Sequence, residues 1–335
     1  MAEQVVPRPS ASVILVRDGD AGLETFMVRR HARSRVAPSA YVFPGGTVRD
    51  DDRLAFQDQG AGLAALISGR ADTALSAADA AAYYVSAVRE LFEEAGVLLA
   101  CGLVGRGLGL LDDAGRRRLE VKDAEGGRAG QDAERVRGVG DAERVGAVGD
   151  AEGVAGVGDA EPVAVDDALR VRAVGDDDHL LEVDDSDVAL QERLAGARLA
   201  LQAGELALAS LLADYGWRPA FDRLVPFSHW VTPAVLAARF DTRFFVAEMP
   251  PRQAALHCTI ETTEGIWIAP RLLLEGEYHV VYATAQHLRR IAPFDCVADL
   301  LEFARTKAIR RMQPEVVERG SGLSVWLPPE LVDRW

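Results

Sequence analysis

A chain of 335 residues, 49% apolar and 27% charged, can bury a sizeable core and is long enough for one large domain or two small ones. No apolar run approaches the ~18–20 residues that span a bilayer, and the first ten residues lack the basic flank and apolar stretch of a secretory signal, so no membrane partner is expected and the cytoplasm is the expected compartment. A formal charge of -15 argues against nucleic acid as a partner, because phosphate backbones attract basic patches.

In chain order, apolar β-branched runs at 11–17 and 24–29 predict two strands joined by a turn around Asp18-Gly19-Asp20. The stretch YVFPGGTV at 41–48 reads as strand, turn, strand. A helix is predicted over 76–95, with Ser76 as its N-cap, Asp79 three residues later and Gly96 just past its end. From 112 to 187 the composition changes: 22 Asp and Glu stand against 10 Lys and Arg, a net of -12 that leaves -3 for all other residues. Asp-Ala-Glu recurs there at Asp123, Asp132, Asp141, Asp150 and Asp159, every nine residues. Each unit offers only one or two valines and alanines to bury, so the segment reads as a low-complexity acidic insertion without a packed core, not a solenoid.

A long helix is predicted over 188–213, then a mixed pattern at 225–233, strands over 243–249, 255–262 and 265–270, a helix over 296–306 and a short strand at 323–327. Three scattered cysteines, Cys101, Cys258 and Cys296, read as reduced packing residues. The expected division is a first core part over 1–110, the acidic insertion over 111–187, and a second core part over 188–335. Strands and helices without regular alternation predict a mixed sheet flanked by helices.

The chemistry concentrates in Arg89-Glu90-Leu91-Phe92-Glu93-Glu94-Ala95-Gly96-Val97. At about 100° per residue, Tyr84, Val88, Leu91 and Ala95 form an apolar stripe, and Glu90, Glu93 and Glu94 cluster on the other side. Hard carboxylate oxygens grouped in this way suit Mg2+ or Mn2+, completed by water and substrate phosphate. Arg89 stands beside them and can orient a carboxylate through a charge-assisted bond. Upstream, Gly45 and Gly46 offer a tight turn whose backbone can approach phosphate closely.

These residues resemble the motif of the Nudix hydrolases: Gly, five residues, Glu, seven residues, then Arg-Glu-apolar-any-Glu-Glu-any-Gly-apolar. Residues 89–97 match its second half completely and Gly46 matches its first glycine. Two departures stand out: Asp52 occupies the position of the first Glu, and 29 extra residues separate it from Arg89, making 53–75 an insertion inside the motif. Asp52 is therefore not counted among the metal ligands. Segments 43–46, 92–99, 229–233 and 239–245 are similar to the branch that includes the peroxisomal coenzyme A diphosphatases. The signature that coenzyme A-acting members carry before the Gly-Gly turn is matched only loosely by 27–30, and 39–41 departs from it. The last residues, Val332-Asp333-Arg334-Trp335, are not a Ser-Lys-Leu type peroxisomal address.

The resemblance implies an α/β (α+β) fold, an α/β/α sandwich with a mixed sheet, and hydrolysis of a diphosphate bond, with coenzyme A or acyl-coenzyme A as the expected substrate. ADP-ribose, a dinucleotide or another nucleoside diphosphate derivative is the alternative, and a non-catalytic ligand-binding module a third reading. It implies Mg2+ or Mn2+ held by Glu90 and Glu94, with Glu93 adding a ligand or acting through water, and Arg89 holding the carboxylates. Glu264, with Glu261 second, is the expected general base. Gly45, Gly46, Arg29 and Arg30 are expected to meet phosphate. The expected partner is a small-molecule diphosphate; a homodimer is left open.

Overall fold

The computed structural model describes residues 5–103, 180–182, 188–319, 322–332 and 335. The Asp-Ala-Glu repeat expected to form an insertion lies outside the described residues. In chain order the elements are β1 (Arg8–Gly19), β2 (Gly22–Arg30), β3 (Tyr41–Val42), β4 (Gly45–Thr47), α1 (Asp50–Leu54), α2 (Gly60–Ser68), α3 (Ala77–Ala95) and β5 (Ala100–Leu103). Next come β6 (Leu180–Glu182), α4 (Val188–Gln202), α5 (Leu208–Asp214), β7 (Trp217–Pro219), β8 (Val225–Val231), β9 (Phe240–Glu248) and β10 (Thr262–Ile268). The chain finishes with α6 (Pro270–Glu275), α7 (Tyr282–Ile291), α8 (Val297–Thr306), β11 (Arg311–Met312), β12 (Glu315–Arg319), β13 (Gly322–Trp326) and α9 (Pro329–Val332).

Alternating side chains on β1 explain the layering. Ala11, Val13 and Leu15 join the core that holds α3, whereas Ile14 and Val16 join the core formed with α7 and α8. β9 divides in the same way, Phe245 and Ala247 to one core and Phe244 and Val246 to the other. The main sheet runs β10-β2-β1-β9-β8-β11, with β3 on β2 and β4 on β1. Its central pair β1–β9 is parallel, while β1–β2, β2–β10 and β8–β9 are antiparallel, giving the mixed sheet between helical layers that the sequence predicts. A separate small sheet, β6-β5-β7, and a hairpin, β12-β13, complete the described part. Among the described residues, no helix is long and apolar enough to cross a membrane.

Four predicted elements are corrected. The helix expected over 188–213 is two helices, α4 and α5, because Gly204 adopts φ 72 and the amides of Gly204 and Glu205 turn back onto Leu201 and Ala200, closing α4. No strand forms over 255–261. That backbone instead runs across the end of α3, where the amides of Leu256 and Cys258 bond the carbonyls of Ala95 and Glu94. The glycines expected in a turn at 43–46 lie in β4, with Pro44 making the bend before them. At 180–182, within the segment expected to be insertion, the backbone pairs as β6 with β5.

Candidate functional site

Helix α3 carries the candidate site, and its ends are set locally. Ser76 Oγ accepts a 3.0 Å bond from the Asp79 amide, and Gly96 takes the left-handed conformation at φ 71 that ends the helix. The apolar stripe Tyr84, Val88, Leu91 and Ala95 is fully buried, as predicted for the face on the sheet. The carboxylate face is buried too, because β4 lies against Glu90 and Glu94, and Arg49 and α4 reach Glu93. Glu90, Glu93 and Glu94 are only 7%, 4% and 2% exposed.

Three buried carboxylates need compensating donors, and the structure supplies them unevenly. Arg89, 1% exposed, donates to Glu90 Oε1 at 2.7 Å and to Glu93 Oε2 at 3.3 Å. Its remaining donors reach Asp52 at 2.7 and 2.9 Å and the Thr47 carbonyl at 2.9 Å. Glu94 Oε2 accepts the Gly45 amide at 2.9 Å. Beside it, a Cβ on Gly46 would land on the Glu90 carboxylate, so only glycine lets β4 lie this close to α3. The Gly45-Gly46 pair thus brings its backbone against the glutamates.

Burial raises the proton affinity of all three acids. Glu90 is pushed up to about 7 by burial, with Arg89 opposing and Glu93 adding to the shift. Glu93 is raised by burial against the pull of Arg89 and Arg49. Glu94 is raised well above the usual carboxylate range, first by burial and then by the neighbouring charge of Glu90.

The other expected site residues lie along β2, β3 and β10. Glu264 Oε2 accepts the Tyr41 hydroxyl at 2.6 Å and lies 3.8 Å from Arg29. Tyr41 is pushed up to about 12 by burial and by Glu264, so its hydroxyl keeps the proton and donates. No bond joins Glu264 to the three glutamates of α3. The charge of Glu261 adds to the upward shift of Glu94, and that of Arg30 offsets it. Arg30 also donates to the Val36 carbonyl at 3.1 Å. Sequence reasoning missed Arg49, whose guanidinium lies 2.8 Å from Glu93 Oε2, and the donors Arg198 and Gln202 on α4, both bonded to the Glu93 carbonyl. Asp52, left out of the ligand set, is the buried partner of Arg89 and also accepts the Arg49 amide at 2.8 Å.

Among the described residues, no three His, Cys, Asp or Glu side chains converge as a ready-made metal cage. Arg89 Nη1 instead bridges Glu90 and Glu93, while Glu94 turns to the Gly45 amide. The residues nevertheless fit a hard divalent cation. Glu93 Oε1 is buried without any hydrogen-bond partner, and the neighbouring donors are carboxylate oxygens whose crowding a cation would relieve.

No family model and no curated protein matches the chain. Among solved structures it is similar to the crystal structure of a NUDIX hydrolase from Alicyclobacillus acidocaldarius, at 19% identity and a TM-score of 0.50, over 89% of this chain and 96% of that one. The fold is that of a Nudix hydrolase. Within this Nudix fold, the extra residues between Asp52 and Arg89 include α2, which packs on α3, and the interruption leaves β4 and the carboxylate helix in contact.

Proposed function

We propose that the protein is a divalent-cation-dependent hydrolase of phosphoanhydride bonds, with coenzyme A or acyl-coenzyme A as substrate. The single observation that carries this reading is the buried group Glu90, Glu93 and Glu94, bonded to the β4 backbone yet keeping a partnerless oxygen on Glu93. Bound Mg2+ or Mn2+ would neutralise the diphosphate and make hydroxide available from water near neutral pH. Glu90 and Glu94 hold the cation in this proposal, and Glu93 adds a ligand or acts through water. Arg89 keeps Glu90 and Glu93 in place from below. Arg29 and Arg30 supply positive charge for the substrate phosphates, at the end of β2. Glu264, with Glu261 second, takes the proton from the attacking water in this proposal.

The substrate choice rests on the resemblance of 229–233 and 239–245 to one branch of the family. Those segments form much of β8 and β9, where His229 Nε2 bonds Asp241 at 2.7 Å, so they contribute framework; the alternative substrates are ADP-ribose or another nucleoside diphosphate derivative. Incubation of the purified chain with each compound and Mg2+ or Mn2+, with products read by mass, tests the proposal. Cleavage of coenzyme A to a phosphopantetheine and adenosine 3′,5′-bisphosphate, lost in excess chelator, is expected. Failure to cut any of these diphosphates with either metal, or a rate undiminished by chelator, overturns it.

A further inference from the structure

The carboxylate of Glu93 is held asymmetrically. Arg49 at 2.8 Å and Arg89 at 3.3 Å both bond the same oxygen, Oε2, while Oε1 is buried with no partner. Arg49 is tied down at its other nitrogen by the Leu201 carbonyl at 2.7 Å, the penultimate residue of α4. The next residue, Gln202, donates its side-chain amide to the Glu93 carbonyl at 2.6 Å, and Arg198 donates to the same oxygen at 2.9 Å. Cys258 Sγ, 3.2 Å from Gln202 Oε1, holds that amide in the orientation that lets its nitrogen donate. Side chain and main chain of one glutamate are therefore gripped by residues 44 positions before it and 105 and 109 positions after it.

We infer that Arg49 and Gln202 are positioning residues: they lock Glu93 so that Oε1, and not Oε2, is presented to a divalent cation. The inference rests on the proposed metal-dependent function and adds to it the residues that orient one ligand. Two effects of Arg49 on cation affinity have opposite sign. Its positive charge repels a cation, so deleting it would tighten binding if charge were its only role. Its grip on Oε2 spares the cation the entropy of ordering the side chain, so deleting it weakens binding if positioning dominates.

Mn2+ binding to the full chain without substrate, followed by electron paramagnetic resonance, separates the two. Arg49→Met is expected to bind Mn2+ about tenfold more weakly than the unmodified chain, with an unchanged thermal unfolding midpoint, and Arg49→Lys to recover part of the loss. Gln202→Met, which removes one donor from the Glu93 carbonyl and leaves every charge in place, is expected to weaken Mn2+ in the same direction. Equal or tighter binding by Arg49→Met overturns the inference, as does unchanged binding by Gln202→Met should Arg49→Met fail to fold. An unmodified chain that binds no Mn2+ overturns the proposed function itself, and this inference with it.

Discussion

Arg89 and Asp52 face each other through two buried hydrogen bonds, Nη2 to Oδ2 at 2.7 Å and Nε to Oδ1 at 2.9 Å, each side chain at most 2% exposed. The bidentate geometry fixes the plane of the guanidinium, and with it the donors that reach Glu90 and Glu93. Replacing Asp52 with Ala leaves a buried cation short of its partner. We expect Asp52→Ala to lower unfolding free energy by about 3–5 kcal/mol, measured by urea titration, whereas a loss below about 1 kcal/mol would show that the pair is not a structural anchor.

Gly46→Ala tests the close approach of β4 to α3. The added methyl would meet the carboxylate of Glu90, so the acid must move. A stability loss of roughly 1–3 kcal/mol is expected together with a large fall in hydrolysis. Gly196→Ala on α4, where nothing lies within 4 Å, is the control and should gain roughly 0.5–1 kcal/mol. Matching behaviour of the two variants in activity and melting would remove the role assigned to Gly46.

Glu94→Gln separates charge from shape. The amide oxygen can still accept from Gly45, and a buried charge that burial disfavours is removed. The variant should unfold no more easily than the unmodified chain while losing turnover. Wild-type-like turnover would refute Glu94 as a ligand.

A fourth expectation concerns acid stability on the opposite side of the sheet. His287 is completely buried, stacked 4.0 Å from Phe244 and bonded to Ser228 at 2.6 Å, and burial pushes it down to about 3. The folded ring is therefore neutral where the unfolded ring, with its ordinary value of 6.5, already binds a proton. Its stabilising contribution is complete above about 6.5 and is lost as pH falls toward about 3, at up to about 1.4 kcal/mol per pH unit. Urea unfolding at several acid pH values should show a shallower slope for His287→Phe than for the unmodified chain; parallel slopes would exclude His287 as the source.

Much of this was legible because it is local. Ser76, Asp79 and Gly96 announce α3 within its own turns, and the apolar β-branched run at 11–17 announces β1, which the fold buries on both faces. The glutamates were found through their spacing on one helix. Their burial was not, because β4, Arg49 and α4 reach them from distant parts of the chain. Arg49 gave no signal for the same reason: one partner lies 44 residues away and the other 152. The strand expected over 255–262 failed because Leu256 and Ile260 stay exposed in a loop whose Leu256 and Cys258 amides bond the end of α3. Helix α6 had a usable cue, Pro270 at its first turn, but the apolar run before it read as the end of a strand.

The pairing of Leu103 with Leu180 brings the two flanks of the acidic repeat into one antiparallel ladder. β5 is thereby paired along both edges, to β6 on one side and to β7 on the other, so the strand that follows the glutamate helix offers no open edge to a further strand.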